Sequence, residues 1–179
     1  MSPNDLVSEE DVKFKIVIPI LKALGYIDTD IGFEGRTGRG YADVVVSDCP
    51  SVIVVEAKSP RTRIDNYRSQ LENYVPDKHR RDQATIAILT NGEIFNVYGI
   101  DREFYRHSLQ DYLVLSFDRH ELACPSILAK LYTLASKVSN RDGLILDSIS
   151  SFRTEIRKNQ ERFKAIDSEK RSTVKSNRQ

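Results

Sequence analysis

The chain has 179 residues, 40% of them apolar, with 27 Lys and Arg against 26 Asp and Glu and a formal net charge of +1. That length suits one well-buried domain and is short for a second, and the near-balance of charge excludes a generally basic nucleic-acid coat, so contact with a polyanion has to come from local clustering. Two cysteines exclude a disulfide framework, and a polar N-terminus with no apolar run of about 18 residues leads us to expect no signal peptide, no membrane span and a reducing cytoplasm.

Residues 1–7 read as a lead-in. Ser8 can cap a helix whose first turn carries Glu9, Glu10 and Asp11, favourable at the positive end of the macrodipole. The helix is expected to run to about Leu24, with Val12, Ile16, Val17, Ile20 and Leu24 on its apolar face, Lys13, Lys15 and Lys22 elsewhere, a bend at Pro19 and a stop at Gly25. Glu10 reads either as a first-turn helix charge or as a carboxylate delivered to the site described next. A strand over 31–34 and a glycine- and arginine-rich turn over 35–40 follow, in which Arg36 and Arg39 offer guanidinium forks suited to phosphate. No Gly-x-x-x-x-Gly-Lys-Ser/Thr occurs, so the chain carries no P-loop ATPase signature.

Two β-branched runs, 41–47 and 51–58, joined through Asp48, Cys49 and Pro50, predict a buried hairpin. Charge enters it at Asp43, Glu56 and Lys58. Side chains alternate along a strand, so Glu56 and Lys58 share a face and Ala57 points into the opposite layer, while pairing through the short turn brings Asp43 near the level of Glu56. Two carboxylates with an ammonium beside them form a geometry that holds a hard divalent cation such as Mg2+; the plainer reading is a buried ion pair ending a strand. Lys58 would then orient a water or help neutralise a phosphate.

A helix over 63–75 places Gln70 and Tyr74, four apart, on one face, as a satisfied surface pair or as part of the same site. Lys58, Arg61, Arg63, Arg68, Lys78, Arg80 and Arg81 make this the most basic stretch, read as a solvated face or as phosphate contacts. A strand over 84–89, a turn at Thr90-Asn91-Gly92-Glu93, a return strand over 94–98 and one or two shorter strands within 101–117 come next. A helix from Leu122 to about Val138 with Pro125 in its first turn precedes a loop through Asn140 to Gly143. In the last helix Ile145, Ile149, Phe152, Ile156, Phe163 and Ile166 form a heptad seam with Asn159 at its polar step, which packs on its own domain, on a second copy or on a larger protein. Beyond Asp167 the chain is polar and is expected to fray. His79, His107 and His120 are scattered and do not pair at zinc spacing. The expected division is 1–140 for the main domain and 141–179 for the helical extension.

Leu24-Gly25-Tyr26, Tyr41-Ala42-Asp43, Val55-Glu56-Ala57-Lys58, Gln70 with Tyr74, and Leu89-Thr90-Asn91-Gly92 stand in the same order as in the restriction-endonuclease-like nucleases. Over residues 8–99 the chain most resembles the N-terminal nuclease domain of the type I restriction enzyme R subunit. The resemblance implies an α/β fold, a mixed β-sheet flanked by helices, here with a C-terminal helical extension. It implies a Mg2+-dependent endonuclease, with Mn2+ as a substitute, that hydrolyses DNA phosphodiester bonds in restriction or related defence and leaves a 5′-phosphate and a 3′-hydroxyl. Asp43 and Glu56 would bind the metal, the Ala57 carbonyl is a further ligand to consider, and Lys58 would position the attacking water. A first-helix glutamate supports the metal, for which Glu10 is the better match beside Glu9. Gln70 and Tyr74 match the family's activity-linked motif, and Arg36, Arg39, Arg61, Arg63 and Arg68 are the candidates for DNA phosphates. DNA is the expected partner, with a homodimer through the last helix and motor or specificity subunits of a restriction system left open. The chain is too short to contain the R subunit's ATP-driven translocase, so a stand-alone relative or a piece of something longer is expected. The alternatives are a catalytically silent DNA-binding or assembly module of the same fold, and a nuclease acting on RNA or non-duplex DNA.

Overall fold

The computed structural model describes residues 6–37, 40–47, 50–78, 84–101 and 108–176. The first helix starts at a capping box: the Ser8 side chain accepts from the Asp11 N–H (3.1 Å) and the Asp11 carboxylate accepts from the Ser8 N–H (3.1 Å). It continues as α1 (Glu9–Val12), a π-helical stretch (Lys13–Val17) and α2 (Ile18–Ala23). Pro19 has no N–H to give the Lys15 carbonyl, and its ring would crowd that carbonyl. The helix meets this by widening, with the Ile18 N–H donating to the Lys13 carbonyl five residues back. Lys13, expected off the apolar face, is instead buried with 5% of its surface exposed, because two carboxylates compensate its charge there.

Six strands form one mixed sheet in the order β1 (Ile31–Thr37), β2 (Gly40–Val46), β3 (Val52–Ala57), β4 (Thr85–Thr90), β5 (Ile94–Ile100) and β6 (Leu113–Asp118). All neighbours are antiparallel except β3 and β4, which run parallel from Val52↔Thr85 to Ala57↔Thr90. A crossover is therefore needed after β3, and it is made by a 3-10 turn (Ile64–Tyr67) and α3 (Arg68–Lys78). The strand expected over 31–34 continues into the stretch read as a turn over 35–40. Arg36 pairs with Tyr41 and Thr37 with Gly40, so β1 runs on to Thr37. Among the described residues of the span 101–117, where one or two strands were expected, β6 is preceded by a 3-10 turn at Leu109–Tyr112.

Alternation along the strands gives the sheet two apolar faces. One is covered by the first helix, α4 (Pro125–Ala135) and the start of α6 (Ile145–Ser176), with Val12, Leu21, Ile53, Ile86, Leu134, Ile145 and Ile149 in its core. The other lies under α3 and the Leu109–Tyr112 turn, with Val54, Leu71, Tyr74, Leu89 and Tyr98. The single helix expected from Leu122 to Val138 is divided. A 3-10 turn (Arg119–Ala123) precedes Pro125 at the first position of α4, and Ser136 leaves helical geometry to cap α5 (Lys137–Arg141), its hydroxyl accepting from the Ser139 N–H at 3.1 Å. Among the described residues no helix is long and apolar enough to cross a membrane.

The N-terminal half of the seam in α6 is occupied within this chain. Ile145 and Ile149 are fully buried in the first core and Phe152 packs against it. A Cβ on Gly99 would come within 2.7 Å of the Ile149 side chain, so α6 lies on β5 at a distance only glycine allows. Arg153 ties the next turn down, donating to the Gly99 carbonyl (2.9 Å) and to Asp101. The side chains of Phe163 and Ile166 lie outside the described residues. A chain ended after Asn140 is expected to lose roughly 4–6 kcal/mol through the two missing isoleucines alone. One ended after Gln160 should keep the thermal midpoint of the full chain, and calorimetry on the two separates a core role for the start of α6 from a dispensable extension.

Candidate active site

Asp43 sits just past the end of the β2–β3 ladder and at the one skipped position of the β1–β2 ladder. Pairing of β2 with β3 ends at Val44↔Val55, and pairing of β2 with β1 passes from Phe33↔Val44 to Gly35↔Ala42, skipping Glu34 and Asp43. Glu34, opposite Asp43, has φ +47, a left-handed conformation that an L side chain adopts at a cost and that interrupts the ladder. Asp43 nonetheless has a fixed place. Its Oδ2 accepts from the Ala57 N–H at 2.8 Å, spanning the gap between β2 and β3, and its Oδ1 lies 3.3 Å from Lys13 Nζ.

Glu56 and Lys58 share a face as their spacing requires, with Lys58 Nζ donating to Glu56 Oε1 at 2.6 Å. Glu56 is 2% exposed, and its second oxygen, Oε2, is buried without a hydrogen-bond partner. Burial is the main reason that its carboxyl is pushed up to about 7; the charges of Asp43 and Glu9 act in the same direction and the Lys58 ammonium acts against them. Burial works to lower the Lys58 pKa, but the bond to Glu56 and the charges of Glu56, Glu9 and Asp43 outweigh it and hold the ammonium above its ordinary value. The Tyr67 ring adds a face to this cation, its centroid 5.1 Å from Nζ. The Lys58 N–H donates to the Thr90 carbonyl at 2.8 Å, prolonging the β3–β4 pairing by one residue.

The first turn of the first helix closes the site from the other side of the sheet. Glu9 Oε2 is 3.8 Å from Lys58 Nζ, whereas Glu10 turns to Lys13 Nζ at 2.7 Å and is mostly exposed. Glu9 is therefore the first-helix carboxylate that faces Glu56 and Lys58, and Glu10 is linked to Asp43 only through Lys13. Lys13 and Tyr67 are the neighbours that sequence reasoning passed over. The signal for Lys13 was present: a lysine three residues after Glu10 on a turn whose next residues inward are Val12 and Ile16.

The Thr90-Asn91-Gly92 turn holds these pieces in register. Asn91 Oδ1 accepts from the Glu93 and Ile94 N–H groups, and its amide donates to the Thr62 carbonyl at 2.8 Å, fastening the segment after β3 to the end of β4. Gly92, at φ +82, packs so closely beneath the helix that a Cβ would lie 3.1 Å from Leu6 and Val12. The expected hairpin signal thus also seats the helix that carries Glu9 and Lys13.

The outlying predicted residues divide. Gln70 Nε2 donates to Tyr74 Oη at 2.7 Å, which makes them the face-sharing pair their spacing implies, but Tyr74 is buried in the second core, and it is Tyr67 from the same crossover that reaches Lys58. Arg63 and Arg68 line a groove of about 390 Å³ with Asp65, Asn96 and Ser116. Arg68 is engaged there by Asp65 at 2.6 Å. Arg61 is exposed on a turn with φ +66. Arg39, His79, Arg80, Arg81, His107 and the Asp48-Cys49 turn lie outside the described residues, as does the side chain of Arg36.

Compared with models of known protein families, with curated proteins and with solved structures, the chain matches none. Among the described residues no three or more His, Cys, Asp and Glu side chains are gathered so as to hold a metal ion by themselves. Two converging carboxylates are nonetheless enough for Mg2+, which keeps waters and takes its remaining oxygens from phosphate. The fit rests on Glu56, a buried acid with an oxygen aimed at no donor and with Asp43 as a like-charged neighbour. A cation between them relieves both conditions.

Proposed function

We propose that this chain is a divalent-cation-dependent nuclease of restriction-endonuclease-like type that hydrolyses DNA phosphodiester bonds. The observation that carries this reading is the pairing of a buried, half-unpartnered Glu56 with Lys58 at the end of a strand, beside an Asp43 that lies just past the end of the β2–β3 ladder. Asp43 and Glu56 would hold Mg2+ or Mn2+. Such an ion supplies charge to offset that growing on a phosphoryl oxygen and acidifies a nearby water.

The other groups follow from their positions. Lys58 keeps its proton at neutral pH, so it donates: to Glu56 at rest, and to an attacking water or a phosphate oxygen when a strand occupies the site. Tyr67 restricts where that ammonium can go. Glu9, half-buried and 3.8 Å from Lys58, is the first-helix carboxylate placed to complete the acidic side. Arg61 and Arg63, exposed on the segment that Asn91 fastens to the site, suit phosphates flanking the reactive one, and such contacts add affinity without base preference. The likeness in motif order to type I restriction R subunits supports placing the chain in a restriction or related defence system.

The test is cleavage of supercoiled and linear plasmid with Mg2+ or Mn2+. Lys58→Ala and Asp43→Ala are each expected to lower the rate by roughly 100- to 10,000-fold. Metal-dependent nicking that survives in both variants would move the chemistry elsewhere. Absence of cleavage by the wild type with DNA binding retained would favour the silent binding module, and a preference for RNA or flapped substrates in the same assay would change the substrate and not the site.

A further inference from the structure

Lys13 is an unusual residue to find inside this helix. It is 5% exposed at the start of the π-helical stretch, 2.7 Å from Glu10 and 3.3 Å from Asp43 Oδ1. Asp43 Oδ2 already accepts from the Ala57 N–H, which leaves Oδ1 as the oxygen with no backbone donor on it. A divalent ion that takes Oδ1 approaches the oxygen beside which Lys13 lies. Two cations sharing one carboxylate oxygen in a partly buried site repel strongly.

We propose that Lys13 is a built-in counter-ion that stands in for the divalent cation at Asp43, and that its withdrawal toward Glu10 sets the metal affinity of the site. This rests on the reading of Asp43 and Glu56 as the cation ligands. Two features fit such a withdrawal. Lys13 already makes its shorter bond to Glu10, whose side chain is 63% exposed and so can follow the ammonium outward. The segment that carries Lys13 is also joined by i→i+5 hydrogen bonds, with the Ile18 N–H donating to the Lys13 carbonyl, and such stretches recur where helices are adapted to function.

The arrangement solves a physical problem of the unloaded protein. Where both acids are ionised and no cation is bound, Asp43 and Glu56 are neighbouring like charges just past the end of the β2–β3 pairing, and Lys58 is already committed to Glu56. Lys13 neutralises Asp43 until the metal arrives. The same contact then makes the ion compete for its place, so affinity is lower than two carboxylates alone would give. Lys13 is a positioning residue in this scheme and takes no part in the transfer itself.

The test is Mn2+ binding to the full chain without nucleic acid, followed by electron paramagnetic resonance or calorimetry, for the wild type, Lys13→Met and Lys13→Gln. The second variant keeps an amide donor for Asp43 and removes only the charge, so it reports even where the methionine is poorly tolerated. Both are expected to bind Mn2+ about tenfold more tightly or better, and the gain is expected to vanish when Asp43→Asn is added. Without metal both should melt about 5 °C or more below the wild type, and saturating Mn2+ should close the gap. Equal or weaker binding by both variants, with the wild type binding, overturns the counter-ion role and leaves the proposed nuclease standing. No binding by any of them overturns both.

Discussion

Glu56→Gln is expected to lower cleavage roughly 1000-fold while making the metal-free protein more stable at pH 8. The two effects have one origin. Burial, with Asp43 and Glu9 nearby, lifts the Glu56 carboxyl from 4.5 to about 7, so the folded protein keeps this proton over a range where the unfolded chain has released it. A raised folded-state value contributes stability that is complete below about 4.5 and is lost as pH rises through about 7. Above that range the ionised buried acid costs roughly 3 kcal/mol relative to its protonated form. Glutamine imitates the protonated form at every pH and still accepts from Lys58. The variant should therefore melt about 5–10 °C above the wild type at pH 8 and close to it at pH 5, with Mg2+ or Mn2+ raising the wild type and hardly moving the variant. Melting curves at the two pH values, with and without metal, decide this. An offset that does not change with pH would show that Glu56 is not a strained ionised acid.

Asn140→Ala is expected to destabilise the fold by about 3 kcal/mol, or roughly 10 °C in the melting temperature, without touching the candidate site. Asn140 is fully buried. Its Oδ1 accepts from the Ser51 N–H at 2.7 Å, and its amide donates to the Ser51 carbonyl at 2.9 Å and to Tyr26 Oη at 3.2 Å. One side chain thus pairs both backbone groups of the residue before β3, where the sheet offers no strand to do so, and joins them to the end of the first helix. Removing it strands buried polar groups on Ser51, and an unmet buried group costs more than a met one contributes. Asn159→Ala, on the exposed side of α6, is the control and should change stability by less than about 0.5 kcal/mol. Equal losses in the two variants would mean that the Ser51 clamp is dispensable.

Much of the site's local order was legible because it depends on spacing. Glu56 and Lys58 lie on one side of a strand by its period of two, and they bond to each other. Asp43 lies level with Glu56 because the β2–β3 register, Val44↔Val55, leaves no other place for it. Gln70 and Tyr74 meet because residues four apart on a helix do. The start at Ser8 and the turn at Thr90-Asn91-Gly92 were likewise written in residues whose side chains satisfy backbone groups a few positions away.

What the sequence determined by itself was therefore what acts within about one turn or one hairpin: caps, strand faces and the near-neighbour pairs of the site. Tertiary structure decided the rest, because burial and charge compensation depend on partners far along the chain. Lys13 turns inward because Asp43, thirty residues on, is there to receive it, and Glu9 faces Lys58 where Glu10 had the better match, because the helix is seated by Gly92 at one particular rotation. Asn140 becomes a clamp because Ser51 and Tyr26 converge on it, and the seam of α6 begins as core because Gly99 lets Ile149 approach β5. Periodicity names the face a helix will bury. Only the assembled sheet says what that face will meet.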